Sequence, residues 1–411
     1  MRFPEFEGEW EVKKLGEIMY FKVTNSFSRE NLNYESGAVK NIHYGDIHTK
    51  FQTLFNINNE IVPFINEEIN LQRISDENYC REGDIIFADA SEDLNDVGKS
   101  IEVVNVNGEK LLAGLHTLLA RPNANIFHLG FNGYLFKSNS VRTQIQKESQ
   151  GSKVLSINVG RISKIDLSFP TINEQQKITG LLTLLDGRIS TQNKIIEELK
   201  LLKITISKKL FSRQLRFKNH KGIDFQNWET KKLKDVCEII GGGTPETNRS
   251  EYWNGNIQWF TPTEIKSNFV SKSERTISHL GLKNSSAKLL PQGAILLTTR
   301  ATIGEVSIAL EDCTTNQGFQ SLIVKEDCNN LFLFNWLKVN KQELEKRANG
   351  STFAEISKSE IEKIQINIPN AEEQAKIANS LSSIDLKIDI EATFLQKLKE
   401  QKKYLLANLF I

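Results

Sequence analysis

The sequence predicts an α+β chain: two similar mixed α/β domains held apart by two long antiparallel coiled-coil helices, with the halves related by a pseudo-two-fold internal repeat. Three observations predict it. A Trp-Glu-x-Lys-Lys-Leu hexapeptide opens each half, at Trp10 and at Trp228, an offset of 218. A second set of matches holds without a gap at an offset of 199, pairing Pro170 with Pro369, Glu174-Gln175 with Glu373-Gln374, and Asp186 with Asp385. Each half then ends on an apolar seam of period 3.5, the spacing of coiled coils.

Composition sets the outer bounds. A chain of 411 residues suits two or three domains, each able to bury a core of its own. With 52 Lys+Arg, 51 Asp+Glu and 39% hydrophobic residues it is not a disordered chain. No apolar run approaches the ~20 residues of a membrane span, and an acidic start through Glu5, Glu7 and Glu9 is unlike a signal peptide, so a cytoplasmic location is expected. Cys80, Cys237, Cys313 and Cys328 show neither C-x-x-C spacing nor a dense framework, which argues against a zinc ribbon or a disulfide scaffold.

In chain order, residues 1–170 form the first globular block, 171–217 a central spacer helix, 218–369 the second block and 370–411 a C-terminal spacer helix. The blocks read as many short strands, among them Asp84–Ala88, Ile101–Val106, Leu111–Ala120, Ala294–Thr299, Glu305–Leu310 and Gln320–Lys325. A helix is expected before each Gly-Ser turn (Gly151-Ser152 and Gly350-Ser351), over Gly133–Ser149 and over Leu331–Ala348. Pro170 and Pro369 stop these blocks. Thr171-x-x-Glu174 and Asn370-x-x-Glu373 then have capping-box form and start the long helices. The first seam runs Ile178, Leu182, Leu185, Ile189, Ile196, Leu199, and the second Ile377, Leu381, Ile384, Ile388, Leu395, Leu398. Both are interrupted at matching places, Gln192 and Lys203 in one and Glu391 and Lys402 in the other. Matched seams with matched interruptions favour pairing of the two helices with each other over packing of each on its own domain. Continued through Ile206 to Leu210, the first seam is about 50 Å long at ~1.5 Å per residue, a rigid spacer.

Catalytic signatures are absent from the sequence. Gly98-Lys99-Ser100 suggests a P-loop, but Asp93 stands where its first glycine is required. The six histidines have no metal-ligand spacing. Glu11-x-Lys13 and Glu229-x-Lys231 match part of a nuclease motif without the upstream acid and read better as exposed strands. No catalytic residue, metal site or cofactor site is expected in this chain. Candidate ligand-reading residues lie where the two blocks diverge. Gly242, Gly243 and Thr244 form a turn whose bare amides suit a phosphate, although a plain turn is an equal alternative. Thr298, Thr299, Arg300 and Thr302 end a strand, and Asn316, Gln317 and Gln320 follow one strand later. Arg pairs bidentately with guanine and Asn or Gln with adenine, so these residues suit base reading. In the first block the contacts would come from Lys22, Asn25, Ser26, Arg29, Ser91, Lys99 and His116. Charge is uneven: residues 171–219 hold 10 basic and 4 acidic side chains, whereas the first block holds 18 and 23. The basic run is either a solvated helix face or an attraction for phosphate or an acidic partner.

The ordered set of motifs resembles the specificity subunits of type I restriction–modification systems over essentially the whole chain. The residues that carry the resemblance are the two Trp-Glu-x-Lys-Lys-Leu openings, Gly242–Pro245, Tyr252–Trp259, Arg300–Gly304, Asn316-Gln317-Gly318 and the Gly-Ser…Pro…Glu-Gln-x-Lys-Ile junctions. The first block departs from the pattern, with no Gly-Gly-Thr-Pro turn near Lys22–Arg29 and Ala90 where the arginine would stand. The resemblance implies that 1–170 and 218–369 are target recognition domains. Each would read one half of a split, asymmetric site in double-stranded DNA, and the helices would fix the gap. It further implies docking of two modification subunits that use S-adenosylmethionine to methylate adenine. Restriction subunits that use ATP and magnesium to translocate and cut DNA would complete the assembly. A coiled-coil scaffold joining two protein-binding domains is the alternative, and a self-sufficient nuclease or methyltransferase a third that lacks the site it would need.

Overall fold

The computed structural model describes residues 2–123, 126–300, 302–348 and 354–410; the Gly350-Ser351 turn and Ala301 lie outside them. Contacts divide the chain into two compact units, Met1–Asn193 with Phe394–Ile411, and Lys194–Thr393. The division cuts across the two long helices, Ile172–Phe211 and Ala371–Asn408, so each helix gives one half to each unit.

In the first unit a five-stranded sheet has the order Met19–Lys22, Thr117–Pro122, Ile85–Ala88, Ser100–Asn105, Leu54–Asn56. Alternation along the central strand explains why all four of its residues are buried. Ile85 and Phe87 face a core shared with both long helices, and Ile86 and Ala88 face a second core with Ile42 and Phe55. A smaller sheet follows the order Leu111–Ala113, Lys40–Ile42, Phe64–Ile65, Leu32–Asn33.

The second unit repeats the plan. Its five-stranded sheet is Cys237–Gly241, Gln320–Val324, Ile295–Leu297, Val306–Ala309, Phe269–Val270, and its smaller sheet is Arg275–Ile277, Trp253–Phe260, Cys313–Thr315. Ile295 and Leu297 face the core that holds Ile377 and Leu381, while Leu296 faces Phe260 and Phe319.

Several elements are shorter than the sequence suggests. The run Leu111–Ala120 is two strands, because Gly114 packs its Cα against Asn41 and the Ile42 carbonyl, and His116 is left-handed at φ 55. Gly133–Ser149 is two helices, Phe131–Leu135 and Asn139–Glu148, the second capped by the Ser138 hydroxyl. Leu331–Ala348 likewise breaks at Asn340. Beneath the first of these helices, Glu102 accepts the Gly130 and Gly133 amides at 2.7 and 2.6 Å, and burial pushes its carboxyl up to about 7. The folded unit therefore holds a proton there that the unfolded chain releases from about pH 4.5, so stability falls as pH rises through that window. Glu102→Gln is expected to flatten the fall, on the order of 3 kcal/mol, in denaturant titrations at pH 5 and pH 7.5.

The repeated Glu-Gln pair has a joining role. Gln175 donates to the Pro170 and Ile126 carbonyls and accepts the His128 amide; Gln374 does the same with Pro369, Asp327 and Asn329. The glutamates do not close capping boxes. Glu174 binds Arg2 at 2.7 and 2.8 Å, and Glu373 binds Arg216 at 2.8 and 3.0 Å, because a buried carboxylate gains more from a bidentate guanidinium than from one amide.

The seams serve both purposes considered above. In the first unit Ile178, Leu182 and Leu185 share a core with Leu398 and Leu405 of the second helix and with Leu409 just past its end; in the second unit Ile377 and Leu381 share one with Leu210. Ile189, Leu199, Ile384, Ile388 and Leu395 are half-buried, and Ile196 is buried. Two of the polar interruptions form ion pairs between the helices: Lys402 with Asp186 in the first unit, Lys203 with Asp385 at 2.6 Å in the second. The second unit pairs its helix segments antiparallel, since Lys203 meets Asp385 while Leu210, farther along the first helix, shares a core with Ile377 and Leu381, earlier in the second.

Candidate nucleic-acid interface

In the second unit four loops converge at one end of the sheets. The first leaves the Cys237–Gly241 strand. Gly242 and Gly243 donate to the Phe319 and Thr315 carbonyls at 3.4 and 2.8 Å, and Trp259 Nε1 donates to the Gly243 carbonyl at 2.8 Å. A Cβ on Gly242 would run into Asn316 and Thr315, and one on Gly243 into Ser286 and Ala287. The glycines are therefore required by close backbone packing, and their amides are engaged within the protein rather than open to a phosphate. Gly242→Ala is expected to destabilise the unit by about 1–3 kcal/mol, measured as a drop in thermal midpoint, through overpacking.

Thr244 is displayed by this turn and hydrogen-bonds the Gln317 side chain from the Asn316–Gly318 loop. Asn316 turns inward: its amide donates to the Phe260 carbonyl and its Oδ1 accepts the Gly318 amide at 2.8 Å. Thr298 and Thr299 are fully buried, with hydroxyls donating to the Thr302 and Gly318 carbonyls. They hold the strand end in place. Arg300 is exposed, and its Nε lies 2.8 Å from Glu355 across an isolated bridge. Gln320 is half-buried, with an Oε1 that has no partner among the described residues. The structure thus exposes Gln317, Arg300 and Thr302, leaves Thr244 and Asn316 half-buried beside them, and withdraws Thr298 and Thr299 into the framework.

The first unit uses the same backbone frame. Asn25 donates to the Ala113 carbonyl as Gly243 donates to that of Thr315. Asp89 donates to the His116 carbonyl, and Ile157 to that of Asp89, as Thr299 and Ile356 do in the other unit. The side chains differ throughout. Asn25 bonds Asn41 and the Ala113 carbonyl, so it is structural. Lys22 is tied to Glu77 at 2.5 Å and Lys99 to the His48 carbonyl at 2.7 Å, while the Ser91 hydroxyl accepts the Asp93 amide. Ser26 is exposed. Arg29 is partly exposed and binds Asp46 at 2.7 Å. Burial pushes the Asp46 carboxyl up, but hydrogen bonds from Arg29 and Lys50 outweigh it and hold it below the usual carboxylate range. His116 is half-exposed, hydrogen-bonds Asp89 at 3.2 Å and meets the Tyr44 ring edge-on at 5.3 Å.

Tyr44, half-buried with His43 and His48 beside it, adjoins His116 at this surface and carries no sequence motif. The signal that could have found it is the offset of 218, which carries Asp46-Ile47 onto Glu264-Ile265 and hence His43–Gly45 onto Thr261–Thr263. Both segments open the short helix that follows a strand of the smaller sheet, at the fourth converging connection of their unit. No group of three or more His, Cys, Asp or Glu among the described residues is placed to hold a metal ion.

A family model described as type I restriction modification DNA specificity domain matches residues 7–201 and again 226–400. Over 165 residues the chain is 40% identical to the MjaIX type I restriction enzyme specificity subunit of Methanocaldococcus jannaschii, covering 39% of this chain and 38% of that protein. It is 29% identical over 332 residues to the putative MjaX specificity subunit of the same organism, 78% of this chain and 76% of that one. The aligned part thus spans well under half of the first relative. A chain from a structure of a type I restriction–modification system, concerned with complex assembly and conformational transition, superposes with a TM-score of 0.63 at 18% identity, over 98% of this chain and 97% of that chain.

Proposed function

This chain belongs to the family of type I restriction–modification DNA specificity domains, and from that premise we propose that it selects the target of a DNA-methylating and DNA-cleaving complex. Each unit reads one half of a bipartite, asymmetric site, and the long helices set the unspecified gap. The observation that carries this is one backbone frame, held by equivalent hydrogen bonds in both units, presenting Thr244, Gln317 and Arg300 in one and Arg29, Tyr44 and His116 in the other. Like frames with unlike side chains recognise unlike sequences.

The chain itself performs no catalysis in this proposal. Methylation of adenine belongs to two modification subunits that carry S-adenosylmethionine, and cleavage to restriction subunits that carry ATP and magnesium, all in the cytoplasm. Apolar side chains left exposed on the long helices, Leu184 and Tyr404 in one unit and Leu201, Leu386 and Ile390 in the other, support their use as docking faces for those partners. No helix among the described residues is long and apolar enough to cross a membrane.

The test is the methylation pattern. Mapping methylated adenines in DNA exposed to the chain with its modification subunit is expected to give one split motif with a fixed gap. Methylation without sequence preference would overturn the proposal.

A further inference from the structure

The segment from Lys266 to Lys288 in the second unit holds five basic residues, Lys266, Lys272, Arg275, Lys283 and Lys288, against one acid, Glu274. All five are exposed, and among the described residues none has an acidic partner. The other arginines of residues 218–369 are all paired: Arg249 with Glu246, Arg300 with Glu355, Arg347 with Glu343. Arg275 instead lies over the Trp253 ring, its guanidinium carbon 3.6 Å from the ring centroid and 5.6 Å from that of Trp259. Stacking on an aromatic face fixes the guanidinium and leaves its N–H donors free for an anion.

Its place in the fold is at the converging loops. Arg275 pairs with Trp259 in the small sheet, and the Trp259 indole holds the Gly243 carbonyl, one residue before Thr244. The Glu274 amide donates to Glu264, in the loop that follows the Trp253–Phe260 strand. Ser286 and Ala287, next to Lys288, pack on Gly243. The basic segment therefore borders the side chains proposed to read bases.

The first unit has the opposite charge here. Phe64–Ile65 pairs antiparallel with Lys40–Ile42 as Arg275–Ile277 pairs with Trp253–Phe260. Around it, residues 60–80 carry five acids and one base.

Resting on the function proposed above, we infer that the Lys266–Lys288 segment, with Arg275 at its centre, grips the phosphodiester backbone of duplex DNA. The second unit thereby supplies a sequence-independent anchor that the first unit lacks. Phosphate contacts add affinity to any duplex and make it salt-dependent without altering which bases are preferred.

The test uses the full chain assembled with its modification subunit and two duplexes of equal length, one with the methylated motif and one scrambled. Dissociation constants are measured by fluorescence anisotropy over a range of NaCl. Arg275→Ala is expected to weaken both duplexes by the same factor and to make the log–log salt slope shallower by about one unit, while Arg275→Lys retains most of the slope. The Lys272→Ala, Lys283→Ala double variant leaves the tryptophan packing untouched and is expected to make the slope shallower by about two units, one per lost phosphate contact. Unchanged slopes in both variants would overturn the inference, and so would a loss confined to the methylated-motif duplex, which marks a base contact. Failure of the function itself is separable, since the unaltered complex would then not distinguish the two duplexes.

Discussion

Arg300→Ala is expected to leave the chain folded and to cut methylation of the target by roughly ten- to a hundredfold, the range of a lost bidentate base contact worth about 1–3 kcal/mol. Arg300 is exposed three residues past the Ile295–Leu297 strand, and Thr298 and Thr299 between them are buried with their hydroxyls hydrogen-bonded. Its Nε is held by Glu355, which orients the guanidinium and leaves the two terminal nitrogens without a described partner. An exposed pair of this kind contributes at most about 1 kcal/mol to stability, so the thermal midpoint changes little. Initial rates of methyl transfer to a duplex carrying the site, compared at equal complex concentration, check the expectation. A scaffold for two protein-binding domains would give unaltered rates. Relaxed preference at one base position, with the other half-site unaffected, is the accompanying signature.

The repeat and the seams were open to reading because they depend on local pattern. Capping residues, apolar spacing and the matched positions of Lys203 and Lys402 all follow from one helix at a time, and the partners Asp385 and Asp186 sit at the repeat offset. Loop chemistry is different in kind. Thr298, Thr299 and Arg300 are consecutive and polar, and only the strand pairing decides that two turn inward and one outward. Asn316 resembles a base reader by residue type, yet its oxygen is already taken by the Gly318 amide. Gly242 and Gly243 suit a phosphate cradle by composition and are instead a packing requirement. Tyr44 gives no motif signal at all, because its role depends on His116, far away in sequence.

Lengthening the first helix alone and lengthening both helices together are expected to have opposite outcomes. Four residues inserted after Asn193 add about 6 Å and about 40° beyond a full turn to that helix. Asp186 must still meet Lys402, and Lys203 must still meet Asp385, because each pair is set beside the core of its own unit. A single insertion cannot satisfy both registers, so assembly and methylation are expected to fail. A matched insertion of four residues after Asn193 and four after Thr393 returns both ion pairs and both seams to register. If the helices fix the gap between half-sites, the matched variant methylates the same two half-sites separated by about two more base pairs, since ~6 Å is nearly two steps of ~3.4 Å. Mapping methylated adenines reads the gap directly. An active matched variant that keeps the original gap would mean that the spacing is set by the partner subunits and not by this chain.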